Sequence, residues 1–70
     1  MATPGAVQAE LDTTGSGARI MQTAYDDATY TSYYVTGRAD VPGRRRWCTC
    51  TTADSAADQA TAILAALAVG

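Results

Sequence analysis

Three of the five basic residues, the single tryptophan and both cysteines fall in one stretch, GRRRWCTC (43–50), as Arg44, Arg45, Arg46, Trp47, Cys48 and Cys50. Three chemistries deserve a test there: a thiol redox or metal site, a phosphate grip with base stacking, and an arginine–tryptophan contact with another protein. The thiols come first. Cys48 and Cys50 are separated by one residue, so they are not a C-x-x-C redox pair. On a strand their Cα atoms stand roughly 6.5–7 Å apart, the outer limit of disulfide geometry. Zinc needs about four ligands, and the chain has no histidine and no third cysteine. The expectation is two small buried residues with no metal and no cofactor.

Other catalytic arrangements fare no better. Without histidine or lysine there is no ordinary base to activate a serine or cysteine. Asp26 and Asp27 are adjacent in an expected turn, where their side chains diverge. The glycines of GSG (15–17) lack the rest of any phosphate-binding fingerprint. The expectation is a protein that is not an enzyme.

The arginines and aromatic rings remain. Residues 38–47 carry net +3 (Arg38, Arg44, Arg45 and Arg46 less Asp40), while the whole chain is at −2, which leaves −5 elsewhere. One basic patch therefore sits on an acidic body. It suits a phosphate backbone or the acidic surface of a neighbouring protein. An overall negative charge favours the protein, since dedicated nucleic-acid binders are usually basic throughout, and tryptophan and arginine are enriched where protein interfaces hold most strongly. Tyr33 and Tyr34 join the candidate interaction surface, which comprises Arg38, Arg44, Arg45, Arg46, Trp47, Tyr33 and Tyr34.

These residues need elements to hold them. Seventy residues make one small domain, 1–70. AVQAELD (6–12) alternates Val7, Ala9 and Leu11 against Gln8, Glu10 and Asp12, the pattern of a half-buried strand. TTGSG (13–17) breaks the chain. ARIMQTAYDDA (18–28) fits either a helix, with Ile20, Met21, Ala24, Tyr25 and Ala28 on one stripe, or a strand. The β-branched and aromatic run that follows, 29–36, favours a hairpin of 18–25 with 29–36 turning at Asp26-Asp27. RRRWCTCT (44–51) reads as the next strand, with Arg45, Trp47, Thr49 and Thr51 on one face and Arg44, Arg46, Cys48 and Cys50 on the other. A helix over about 53–68 closes the chain, with threonine caps, Asp54 and Asp58 near its start, and a stripe of Ala53, Ala56, Ala57, Ala60, Ile63, Leu64 and Leu67 ahead of Gly70 as terminator. The expected class is α+β: a small antiparallel sheet of three or four strands with one C-terminal helix packed on one face.

The order of strand, strand, RRRWCTCTT and an alanine-rich helix resembles the second half of the double-stranded-RNA-binding domain, over about residues 29–68. The resemblance implies a helix lying across the sheet. That family's helix opens with lysines that clamp phosphates, whereas the matching stretch here, TTADSAADQ, carries Asp54 and Asp58, which repel RNA. The position of the family's first helix is taken by the expected strand at 6–12. The resemblance therefore implies topology and not RNA binding.

A core this thin supplies about 3–5 kcal/mol at most, so support from a partner is expected. The longest apolar run, AILAALAV (62–69), is too short for a membrane span, and the first residues lack the basic start and apolar run of a secretory leader. An arginine-only, Ala/Thr/Gly/Asp-rich composition points to a GC-rich coding genome, such as an actinobacterium or one of its phages. The expected function is a non-catalytic structural or interaction module, a homo-oligomer or a small subunit of a larger assembly. Its most concrete form is an accessory capsid or tail protein of a phage, made in the cytoplasm and carried in the virion. The alternatives are a nucleic-acid-binding regulator using Arg44–Arg46 and Trp47, and a small inhibitor of a host protein.

Overall fold

A computed structural model describes residues 2–25, 28–38 and 41–68, the side chains of Tyr25, Arg38, Val41 and Pro42 excepted. The elements run α1 (Pro4–Thr13), β1 (Arg19–Tyr25), β2 (Tyr30–Arg38), β3 (Val41–Thr51) and α2 (Ala56–Ala68). The strands form one antiparallel sheet in the order β1-β2-β3. Both helices pack against each other and against the same side of this sheet, α1 beneath β1 and α2 beneath β3 and β2. The class is the α+β one that the patterning implies, with three strands. The expected turn at Asp26-Asp27 and the terminator Gly70 lie outside the described residues.

One element differs in kind. Residues 6–12, expected as a strand, are helical. Val7 and Leu11 satisfy both patterns, because the two positions lie on one strand face and are also i and i+4 on a helix. The start of the segment decides between them. Thr3 is extended and its Oγ1 accepts from the Ala6 backbone N–H at 3.1 Å, while Pro4 occupies the first helical turn, where a missing N–H costs nothing. The helix ends at Thr13 with Thr14 as its cap, and Gly15 follows with a φ of +68°, a left-handed conformation favouring glycine. The element order is therefore α-β-β-β-α, with a helix where a strand at 6–12 is expected.

The second helix begins a turn later than expected. Its cap is Ser55 rather than a threonine: Ser55 Oγ accepts from the Asp58 N–H at 3.1 Å and its carbonyl from the Gln59 N–H at 2.9 Å. Thr51 completes β3, and Thr52 donates from its backbone to the Thr29 carbonyl. Ala53 and Ala57 are exposed, and the buried stripe is Gln59, Ala60, Ile63 and Leu67.

The core lies between the two layers. Val7 and Leu11 of α1 meet Ile63 and Leu67 of α2 beneath Tyr33 and Val35 of β2 and Cys48 and Cys50 of β3. Two glutamines tie the layers together. Gln8 of α1 accepts from the Ile20 N–H through Oε1 at 2.8 Å and donates through Nε2 to the Ala18 carbonyl at 3.0 Å. Its amide thereby occupies the outer edge of β1 as a neighbouring strand would, which blunts that edge. Gln59 of α2 does the corresponding work on the other side, as described below.

Candidate interaction face

Antiparallel register fixes which side chains share a face. Tyr33 opposes Cys48, and Tyr34 opposes Trp47. Tyr33 and Cys48 are buried towards the helices, so Tyr34 and Trp47 point the opposite way, onto the side that neither helix covers. Three cross-strand rows can be followed on that open face. Arg19, Thr36 and Arg45 form the first, Gln22, Tyr34 and Trp47 the second, and Ala24, Ser32 and Thr49 the third. Trp47 is 50% exposed, its ring centroid 5.3 Å from that of Tyr34 with the planes tilted by 49°. Met21, the extra residue where the β1–β2 register shifts, is 60% exposed, and Tyr30 is 46% exposed. The only charges on the three rows are the two arginines.

Strand parity divides the expected surface. Arg45 and Trp47 lie on the open face as expected, joined by Tyr34. Arg44 and Arg46 are half-buried on the other side. The Arg46 guanidinium reaches α2 and donates from Nη1 to the Ala66 carbonyl at 2.6 Å, placing a positive charge at the negative end of that helix. Tyr33 is removed from the surface altogether. It is 1% exposed, and its hydroxyl donates to Gln59 Oε1 at 2.7 Å. The Arg38 side chain lies outside the described residues. Arg19, on the first strand, is the basic residue of the face that composition around 43–50 did not reveal. Its signal was parity across two hairpins, which requires the register.

The two cysteines face the helices, as the strand pattern implies. They are free thiols, both buried. Burial raises the Cys48 thiol, with the nearby Arg46 charge acting weakly in the other direction. Burial pushes Cys50 up to about 11, helped by Cys48 and by Asp54. Its Sγ lies 3.7 Å from the Gln59 carbonyl, to which the thiol donates. Thiols held protonated this way are poor nucleophiles and poor metal ligands. Among the described residues no cluster of three or more Cys, His, Asp or Glu side chains gathers around a common point, and no helix is long and apolar enough to cross a membrane.

The face therefore offers flat aromatic area and two guanidinium groups on a three-stranded sheet. No protein-family model, no curated protein and no solved structure matches the chain.

Proposed function

We propose that the chain is a non-catalytic interaction module, a small subunit held in a larger assembly through the open face of its sheet. One observation carries this reading: the chain's single tryptophan is half-exposed beside Tyr34 on a sheet face that the two helices leave uncovered. Large rings in water at the centre of a platform are what a buried interface uses. The small core points the same way, because burying this face adds the apolar area that a chain this short lacks. Given the composition, the accessory protein of a phage particle is the most concrete setting.

A second reading is favoured by the same rings. Arg19 and Arg45 beside Tyr34 and Trp47 have the make-up of a stacking platform for single-stranded nucleic acid. The acidic residues at the start of α2, Asp54 and Asp58, and the net charge of −2 make it the lesser one.

The test is to recover the chain from its own cells by gentle lysis without nuclease, and to size it by light scattering with absorbance at 260 and 280 nm. The expected result is a species several times the 7.2 kDa of one chain, with a protein-like absorbance ratio, from which an Arg45→Ala/Trp47→Ala variant is released as monomer. Recovery as a bare monomer would contradict the reading. Nucleic acid that salt strips away would move the second reading to first place.

A further inference from the structure

The described charges are sorted by layer. Every described acidic residue lies in the helical layer: Glu10 and Asp12 on α1, Asp58 on α2 and Asp54 in the turn before it. Every described arginine lies on a strand, and the open face carries two of them, Arg19 and Arg45, with no carboxylate on its three rows. We propose that the occupant of the open face is the helical layer of a second copy of this chain, so that protomers stack head to tail. This rests on the reading of the open face as the docking surface and names its partner.

Charge selects this arrangement over a symmetric one. From the described rows, a sheet-to-sheet dimer would bring together four arginines and no carboxylate, an uncompensated desolvation. A sheet-to-helix contact instead sets Arg19 and Arg45 of one protomer against the carboxylates of the next. The exposed side of α2 also suits flat rings. Beside Asp58 it presents Ala57, Thr61, Ala62, Ala65 and Ala68, all exposed and short. A helix with such side chains allows Trp47 and Tyr34 to approach closely, where long charged side chains would hold them off.

The dimensions set the strength. Over the seven residues of β1, three adjacent strands present a platform of about 14 Å by 24 Å, which buries an area at the low, transient end of protein interfaces. Association is therefore weak at each joint and falls with added salt. Because the two surfaces in contact differ, the contact does not close on itself at two copies, and it propagates into a chain or a ring.

Sedimentation of the purified full chain over a range of concentrations tests this, with two variants that retain the wild-type circular dichroism. Arg45→Ala/Trp47→Ala spoils only the sheet face, and Asp58→Arg/Ala62→Arg spoils only the helix face. The wild type is expected to exceed twice the monomer mass as concentration rises and to revert in high salt. Each variant alone is expected to stay monomeric, and an equimolar mixture to give a heterodimer and nothing larger, because it contains one good sheet face and one good helix face. A wild type that stops at a dimer, with variants that do not complement, would overturn the head-to-tail contact in favour of a symmetric one. Nucleic acid bound to the purified chain and released by salt would overturn the second-copy occupant. A purified wild type that is monomeric throughout would also overturn it, and if the chain from its own cells were still found in a large species, the docking role of the open face would stand with a different partner.

Discussion

The Tyr33 hydroxyl donates a 2.7 Å hydrogen bond to Oε1 of Gln59, and both side chains are 1% exposed. The other end of the Gln59 amide donates to the carbonyls of Thr51 at 3.3 Å and Asp54 at 3.2 Å. One buried amide thus joins the central strand, the end of β3 and the turn into α2. A buried polar group of this kind is stabilising only while all its partners are in place.

Removing either partner should therefore cost more than one hydrogen bond is worth in water. Tyr33→Phe leaves a buried acceptor unmet, and an expected loss of about 1–3 kcal/mol follows. Gln59→Leu keeps the volume but removes the acceptor of the Tyr33 hydroxyl and the donor to the Thr51 and Asp54 carbonyls, of which Thr51 keeps the Asp54 N–H, so it should be the worse of the two. Combining the substitutions should cost less than their sum, as measured by urea denaturation in a double-mutant cycle. Additive losses would show that the pair is not coupled.

Gln8 should protect the β1 edge. With Gln8→Ala the Ile20 N–H and the Ala18 carbonyl lose their partner. Amide exchange at Ile20 is expected to quicken by about tenfold or more, the equivalent of about 1.4 kcal/mol. Exchange at Val35, in the middle strand, should change only with global stability.

Arg45 and Arg46 are neighbours with opposite consequences. Arg46→Ala removes the cation that meets the Ala66 carbonyl, for an expected loss of about 1 kcal/mol in thermal or urea unfolding of the monomer. Arg45→Ala, on the open face, should fall within about 0.5 kcal/mol. A double substitution of the two would confuse docking with folding, which is why Arg45 is paired with Trp47 in the variants above.

These relationships mark where sequence patterning stops. The alternation in 44–51 correctly assigned Arg45 and Trp47 to one face and Cys48 and Cys50 to the other, because a strand permits only two directions. The hairpin of 18–25 with 29–36 followed from the β-branched run and corresponds to β1 and β2. The helix at the N-terminus was misread because alanine is indifferent to both periods, which left Val7 and Leu11 as the whole pattern. Its evidence was the Thr3-Pro4 pair, a cap signal rather than a periodic one. Tyr33 and Tyr34 were separable by parity, but which one is buried depends on the pairing of Tyr33 with Cys48, a long-range register. Gln59 carried no signal at all. Its burial is set by three partners distant in sequence or outside the helix.

The cysteines give a prediction in pH. Cys50, pushed up to about 11, stays neutral in the fold where the thiol of an unfolded chain, near 9, ionises. Its contribution is complete below about pH 9 and is lost as pH rises towards 11, because only the unfolded state then gains by ionising. Urea stability of the wild type should accordingly fall more between pH 8 and pH 10.5 than that of Cys50→Ala. At pH 8 an aromatic disulfide reagent should label the native chain only at its unfolding rate. Immediate labelling without denaturant would contradict the burial of both thiols.

Trp47 is the single tryptophan of the chain and stands on the open face, so its fluorescence reports on that surface alone. The decisive measurement is its emission and acrylamide quenching in the assembled protein and after dilution to monomer. A half-exposed indole that becomes covered on assembly should shift to the blue and resist quenching, then return to the red and quench readily on dilution. Emission and quenching that stay the same across assembly would mean that the open face takes no part in it, and the proposed role of Trp47, Tyr34 and Arg45 would fall with that result.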